Sequence, residues 1–180
     1  RIFFLFKNPL LGVAVGALIT AILQSSSASV GVLQAISSTG TVTFSMAAPI
    51  IMGQNIGKCV TVLIASIGTS KKAKRAVYID LIVNMLGAAF FLIVVYGYQA
   101  LVGFPFWDDV VNRGNIADFH SLFNIVTCVL VFPFTNQLIQ FSRHLVKDGE
   151  ASKIEEGLAA LNDIFLNTPS VALEQCKKAI

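Results

Sequence analysis

The chain has 180 residues, 55% of them hydrophobic and 13% charged, with a mean hydropathy of +0.75; soluble domains carry about 25% charged residues, so this composition excludes an ordinary soluble protein and identifies an integral membrane one. The net charge is only +3, and the basic residues gather at the ends of apolar runs rather than on one face, which gives no reason to invoke nucleic acid. Cys59, Cys128 and Cys176 are odd in number and widely spaced, which argues against a disulfide framework and against a zinc site.

The sequence opens at Arg1 without an initiator Met, so a piece of a longer chain is expected. Residues 1–7 set Ile2, Phe3, Phe4, Leu5 and Phe6 between two cations, like the end of a preceding helix or an interfacial anchor. Pro9 can open the next helix, in which Gly12, Gly16 and Ala17 are small positions where a neighbouring backbone can approach closely. Between Asn8 and Gly57 there is no Asp, Glu, Lys, Arg or His, so Gln24, Ser25, Ser26, Ser27 and Ser29 interrupt a stretch suited to hydrocarbon. Lipid offers no water to unpaired backbone groups, and an irregular polar stretch at membrane depth must therefore line a cavity or be covered by protein. Two half-helices meeting at such a break aim N–H groups and partial positive charge at one point, which suits an anion, while hydroxyls and freed carbonyls suit sodium. The competing reading makes the serines packing surface between helices, each hydrogen bond worth about 0.6 kcal/mol. The apolar run after the cluster is too short to cross a core about 30 Å thick. Residues 10–36 are accordingly expected to form a re-entrant hairpin with the serines at its tip.

Residues 37–41 read as a turn by composition, and the apolar segment 42–68 that follows is interrupted by Pro49 and by Gly53-Gln54-Asn55-Ile56-Gly57-Lys58. A second broken helix is expected there. Gln54 and Asn55 then bring polar groups to mid-membrane, and Gly53 and Gly57 would let the backbone at Asn55 take unusual dihedrals and approach a ligand. The dense cluster Lys71, Lys72, Lys74 and Arg75 is assigned to the cytoplasm by the positive-inside rule. Residues 76–101 should cross outward, the stretch 102–118 with Trp107, Asp108, Asp109 and Arg113 should lie outside, and residues 119–141 should cross back. That order puts the C-terminal tail in the cytoplasm and the open end of the hairpin outside. The two full crossings share a pattern, Asp80 with Asn84 and His120 with Asn124, each pair four apart on one helical face. Such groups either point inward beside a site or solvate helix ends at the interface. From Asp148 onward charged and apolar residues alternate at helical spacing, predicting two soluble amphipathic helices, the second capped by Thr168 with Pro169 in its first turn.

The serine motif Gln24-Ser25-Ser26-Ser27-Ala28, the Gly53-Gln54-Asn55-Ile56-Gly57 motif, Lys74-Arg75-Ala76 leading to Asn84, and His120 to Asn124 together resemble one repeat of the type II sodium/phosphate cotransporter family. The resemblance covers roughly residues 10–141. Residues 167–174 look like the start of the PhoU-like helical domain that follows the membrane part in bacterial members, which makes this chain similar to the second repeat. The resemblance implies an all-α integral membrane fold over residues 1–147, with a re-entrant hairpin (10–36), a broken helix (42–68) and two transmembrane helices (76–101 and 119–141) forming one inverted repeat of a secondary transporter. Soluble amphipathic helices of a PhoU-like cytoplasmic domain would occupy residues 148–180.

Carried over by motif, Gln24, Ser25, Ser26 and Ser27 would bind phosphate and sodium at the hairpin tip. Gln54, Asn55 and Gly57 would line the site, with sodium at Ser25, Ser27 and Asn55, while Asn84, His120 and Asn124 would stand beside it. Lys58 departs from the pattern, since family members commonly place Thr there. A charge at the bilayer centre costs at least about 2.5 kcal/mol, so at this departure the Lys58 ammonium is expected to occupy or electrostatically replace a sodium position and weaken the sodium requirement; the alternative is that it snorkels into an aqueous vestibule. The implied function is sodium-coupled transport of inorganic phosphate across the plasma (inner) membrane by alternating access in a multi-pass protein, with no cofactor other than sodium as coupling ion. Phosphate, sodium, the lipid bilayer and either the missing other repeat or a second copy in a homodimer are the implied partners. No enzymatic activity is expected, because the serines have no base at readable spacing. Two rivals stay open, a membrane-anchored phosphate-signalling protein acting through its helical tail and a symporter for another oxyanion.

Overall fold

The structure, a computed structural model, describes residues 8–147, and the expected helices of the C-terminal tail lie outside them. The described chain is helical throughout, with a lone antiparallel bridge between Thr43 and Val110 and no strand. Its helices are α1 (Pro9–Leu23), α2 (Ser26–Ser37), α3 (Phe44–Ala65), α4 (Lys71–Leu101), α5 (Arg113–Val131) and α6 (Thr135–Leu145), with a 3-10 turn at Phe132–Phe134 between the last two. Three helical stretches, Phe44–Ala65, Lys71–Leu101 and Arg113–Leu145, are long and apolar enough to cross a membrane. Their outward surfaces expose large apolar side chains such as Ile93, Leu101, Val129 and Phe132, a distribution that fits a lipid solvent.

The serine stretch breaks the chain as its composition demands. Asn8 caps the start of α1 by accepting from the Leu10 N–H, with Pro9 in the first turn. Helix α1 ends at Gln24, the one non-glycine described residue with positive φ (53°), whose N–H bonds the Thr20 carbonyl. Ser25 immediately caps α2 through its side chain, accepting from the Ala28 N–H. The result is a helical hairpin over residues 9–37 with Gln24 and Ser25 at its apex, where the hairpin of residues 10–36 was expected. At the other end of α2, Gln34 donates to the Arg113 carbonyl and Arg113 donates to Ser38, which ties the hairpin's open end to the start of α5.

The expected break within residues 42–68 is absent, and α3 is a single continuous helix. Pro49 lacks the N–H that would bond the carbonyl four residues earlier, and that carbonyl, of Ser45, accepts instead from the Tyr96 hydroxyl at 3.5 Å. Gly53 and Gly57 are helical, without positive φ, so they do not loosen the backbone at Asn55. They serve a close helix crossing. Gly12 lies on Pro49, Gly16 on the Ile50 carbonyl, Gly53 on the Val13 carbonyl and Gly57 on Ala17 and Thr20. The order of these pairings shows that α1 and α3 run in the same direction, and it brings the hairpin apex level with the last turns of α3.

The crossing expected at 119–141 is also redrawn. Helix α5 starts earlier, at Arg113, where Asn112 and Asn115 form a reciprocal capping box, and it stops at Val131 ahead of the Pro133 turn. Helix α4 contains the expected 76–101 span but begins at Lys71 under a Ser70 cap. At 31 residues it is about 46 Å long, more than the hydrocarbon thickness. Around the first half of α3, Ala47, Ala48, Ile51 and Met52 pack with Phe91, Phe119 and Phe123 as a buried core. The N–H groups of Phe44 and Ser45 at the start of α3 are satisfied by the carbonyls of Asp109 and Trp107, so the 102–112 loop closes that end. Charge separates along the molecule. Lys71, Lys72, Lys74, Arg75, Arg143 and Lys147 mark the end where α4 begins and α6 ends, and Asp108, Asp109, Asp118 and Arg113 mark the other. Arg75 fastens α6 to α4 through two hydrogen bonds to the Val146 carbonyl, 2.8 and 3.0 Å.

Candidate functional site

Most of the predicted residues fall into two groups. The first is the hairpin apex. Ser25 and Ser27 hydroxyls lie 3.2 Å apart, and the first-turn N–H groups of Ser26 and Ser27 have no acceptor within their own helix. The Ser26 hydroxyl bonds no described residue. These groups form a small concentration of donors at the positive end of α2, adjacent to the carbonyl end of α1 at Gln24. Gln24 and Ser27 are exposed and Ser25 and Ser26 half-buried, so the apex is open to a ligand or a covering element.

The apex is held from beneath by buried polar groups. Thr20, on the last turns of α1, donates to the Ser29 hydroxyl at 2.8 Å, and Gln54 of α3 donates to the Ser29 carbonyl at 3.1 Å. Thr20, Ser29 and Gln54 are all essentially inaccessible to solvent. Gln54 therefore positions the hairpin from below, and its Oε1 is buried without a partner beside a 230 Å³ apolar cavity between the hairpin and α3. Thr20 escaped the sequence reading, although it stands four residues before Gln24 on the same face of α1. Thr20→Val keeps the shape and removes the hydroxyl, and it is expected to destabilise the protein by about 1–2 kcal/mol, read as a lower thermal unfolding midpoint in detergent.

Asn55 and Gly57 are buried in the helix seams rather than set at the apex. The Asn55 amide donates to the Ile51 carbonyl in its own helix, and Gly57 is closed off by Ala17 and Thr20.

The second group surrounds a cavity of about 320 Å³ between α3, α4 and α5, roofed by the start of α6. Lys58, Asp80, Asn84, Asn124 and Thr127 line it. Asp80 accepts from the Cys59 thiol at 3.3 Å and from the Asn84 amide at 3.0 Å, so it faces inward rather than solvating a helix end. Asn124 donates to the His120 carbonyl one turn below, and the His120 Nδ1 is buried without a partner. Thr127 was missed in the sequence, although it continues the His120 and Asn124 face. Among the described residues, no cluster of three or more His, Cys, Asp or Glu is suited to a metal ion.

Comparison with known proteins follows the same residues. A family model described as Na+/Pi-cotransporter matches residues 2–106. An uncharacterized protein of Bacillus subtilis (strain 168), YqeW, is 34% identical over 68% of this chain and 39% of its own length. A protein of Escherichia coli (strain K12) named for inorganic phosphate export, YjbB, is 23% identical over 91% of this chain and 30% of its own length. The human sodium-dependent phosphate transport protein 2B is 39% identical over 40% of this chain and 11% of its length. The chain thus spans well under half the length of each of these relatives. No solved structure matches it.

Proposed function

The chain belongs to the Na+/Pi-cotransporter family, and from that premise we propose that it is one part of a membrane transporter for inorganic phosphate, coupled to sodium and working by alternating access. The observation that carries this reading is the hairpin apex, where unpaired N–H groups at the positive end of α2 meet the hydroxyls of Ser25, Ser26 and Ser27. A tetrahedral oxyanion takes several hydrogen bonds at once, and a helix N-terminus supplies donors and favourable potential together. Gln24, in the left-handed conformation, turns the end of α1 beside it, where carbonyl and hydroxyl oxygens suit a hard monovalent cation.

Both ends of the hairpin lie on the side of the 102–112 loop, opposite the lysine cluster, which supports a re-entrant hairpin entering from outside with the C-terminal side in the cytoplasm. The open apex needs cover. A second repeat of the longer protein, or a second copy of this one, would supply it and complete the site. Net flux in either direction is compatible with this reading, since the coupled ion gradient sets it and one relative is named for export.

Sodium coupling is tested by loading proteoliposomes of the full-length parent with phosphate on one side and exchanging external sodium for choline. Flux that follows the sodium gradient supports the reading. Flux indifferent to sodium removes the coupling while leaving the phosphate site standing.

A further inference from the structure

The cavity between α3, α4 and α5 is distinct from the hairpin apex and is lined by more oxygen than the protein's own hydrogen bonds use. The Asp80 carboxylate receives only an amide and a thiol, and the side-chain oxygens of Asn84 and Asn124 receive no hydrogen bond. Asn84 is 4% exposed, so little water reaches it, whereas the Thr127 hydroxyl is closed off against Gly87. Carboxylate and amide oxygens lining one partly dry cavity suit a hard monovalent cation.

One fixed cation is already present. Lys58 lies half-buried on the wall of the same cavity, and no hydrogen bond or ion pair ties its ammonium to a described residue. An ammonium on a flexible four-carbon stem can swing toward these oxygens and supply three donors. A charge within a membrane span is costly unless it is paired, and Asp80 on the opposing helix carries the complementary charge. The other titratable groups nearby are Cys59 on α3, His120 and Cys128 on α5, and none of them brings a second fixed positive charge when neutral.

We propose that Asp80, Asn84 and Asn124 form a monovalent-cation site for which Lys58 is a tethered competitor, so that the lysine holds sodium out of a cavity otherwise built to bind it. The proposal does not depend on phosphate being the substrate. A competitor that occupies the site nine-tenths of the time lowers apparent sodium affinity about tenfold, and its removal should restore that factor.

The test is sodium binding to the purified full-length parent in detergent, without phosphate, with choline holding the ionic strength constant and the thermal midpoint as readout. Lys58→Met should gain a saturable sodium-dependent rise in midpoint at about tenfold lower sodium than wild type. Lys58→Met/Asp80→Asn should lose it. If Lys58→Met aggregates in choline, its recovery in sodium also supports the proposal, and Lys58→Thr, smaller and polar, carries the same expectation. No gain in either folded variant, a gain that survives Asp80→Asn, or failure of both variants to fold in sodium as in choline would overturn it.

Discussion

Gly53→Val is expected to leave no stably folded protein. A Cβ at position 53 meets the Val13 carbonyl, with the Ala17 N–H 2.9 Å away, and on the facing helix a Cβ at Gly16 would meet the Ile50 carbonyl. These obstacles are main chain, which cannot rotate aside as the end of a side chain can. The helices would have to separate along the whole seam, and that separation would also part Thr20 and Gln54 from Ser29. Overpacking in well-packed cores costs about 1–3 kcal/mol, and this contact belongs at or beyond the top of that range, against a total stability of about 5–15 kcal/mol. Size-exclusion chromatography of a fluorescent fusion should show the monodisperse peak lost. Gly97→Ala is the control, because a Cβ there meets nothing within 4 Å. It should leave stability unchanged or raise it by up to about 1 kcal/mol through helix propensity.

Gln54→Leu should separate stability from transport. The side chain is fully buried, its amide holds the Ser29 carbonyl, and its own Oε1 has no partner. Leucine has nearly the same volume; it gives up one hydrogen bond to a carbonyl that stays within α2 and removes a buried unsatisfied oxygen, and these two effects, each about 1 kcal/mol, oppose each other. The hairpin, though, loses the side-chain tie that holds its serine end to α3. Phosphate flux through the parent protein is expected to fall at least about tenfold, or 1.4 kcal/mol, while the thermal midpoint stays near that of wild type. A variant with a lowered midpoint and full flux would reverse both halves of this assignment.

The hairpin was legible because its signal is local. A run of serines in apolar sequence supplies the side-chain cap from which a new helix can start, and Ser25 is that cap. The error in α3 came from reading glycine and proline by the same local rule. Gly53 and Gly57 are glycines because the α1 main chain at Val13 and Ala17 lies against them, and Pro49 is tolerated because Tyr96, 47 positions away along the chain, serves the orphaned Ser45 carbonyl. Nothing within one segment records those partners. Likewise, the pairing of Asp80 with Asn84 was visible as helical spacing, but its choice between an interface and an interior depended on Cys59 and Lys58 arriving from α3. The start of α5 was hidden in a polar stretch whose asparagines read as loop and act as a capping box.

The central claim rests on the serine apex, and Ser26 tests it most cleanly. Ser25 caps α2, Ser27 stands against Ser25 and Ser29 bonds Thr20, whereas the Ser26 hydroxyl has no structural partner among the described residues. Its removal should leave the scaffold intact. The measurement is radiolabelled phosphate flux into sealed proteoliposomes of the full-length parent, wild type beside Ser26→Ala, with folding checked by chromatography. A saturable sodium-dependent flux in wild type that drops severalfold or more in Ser26→Ala is the predicted result. Equal flux in the two proteins, or none from folded wild type, would contradict it.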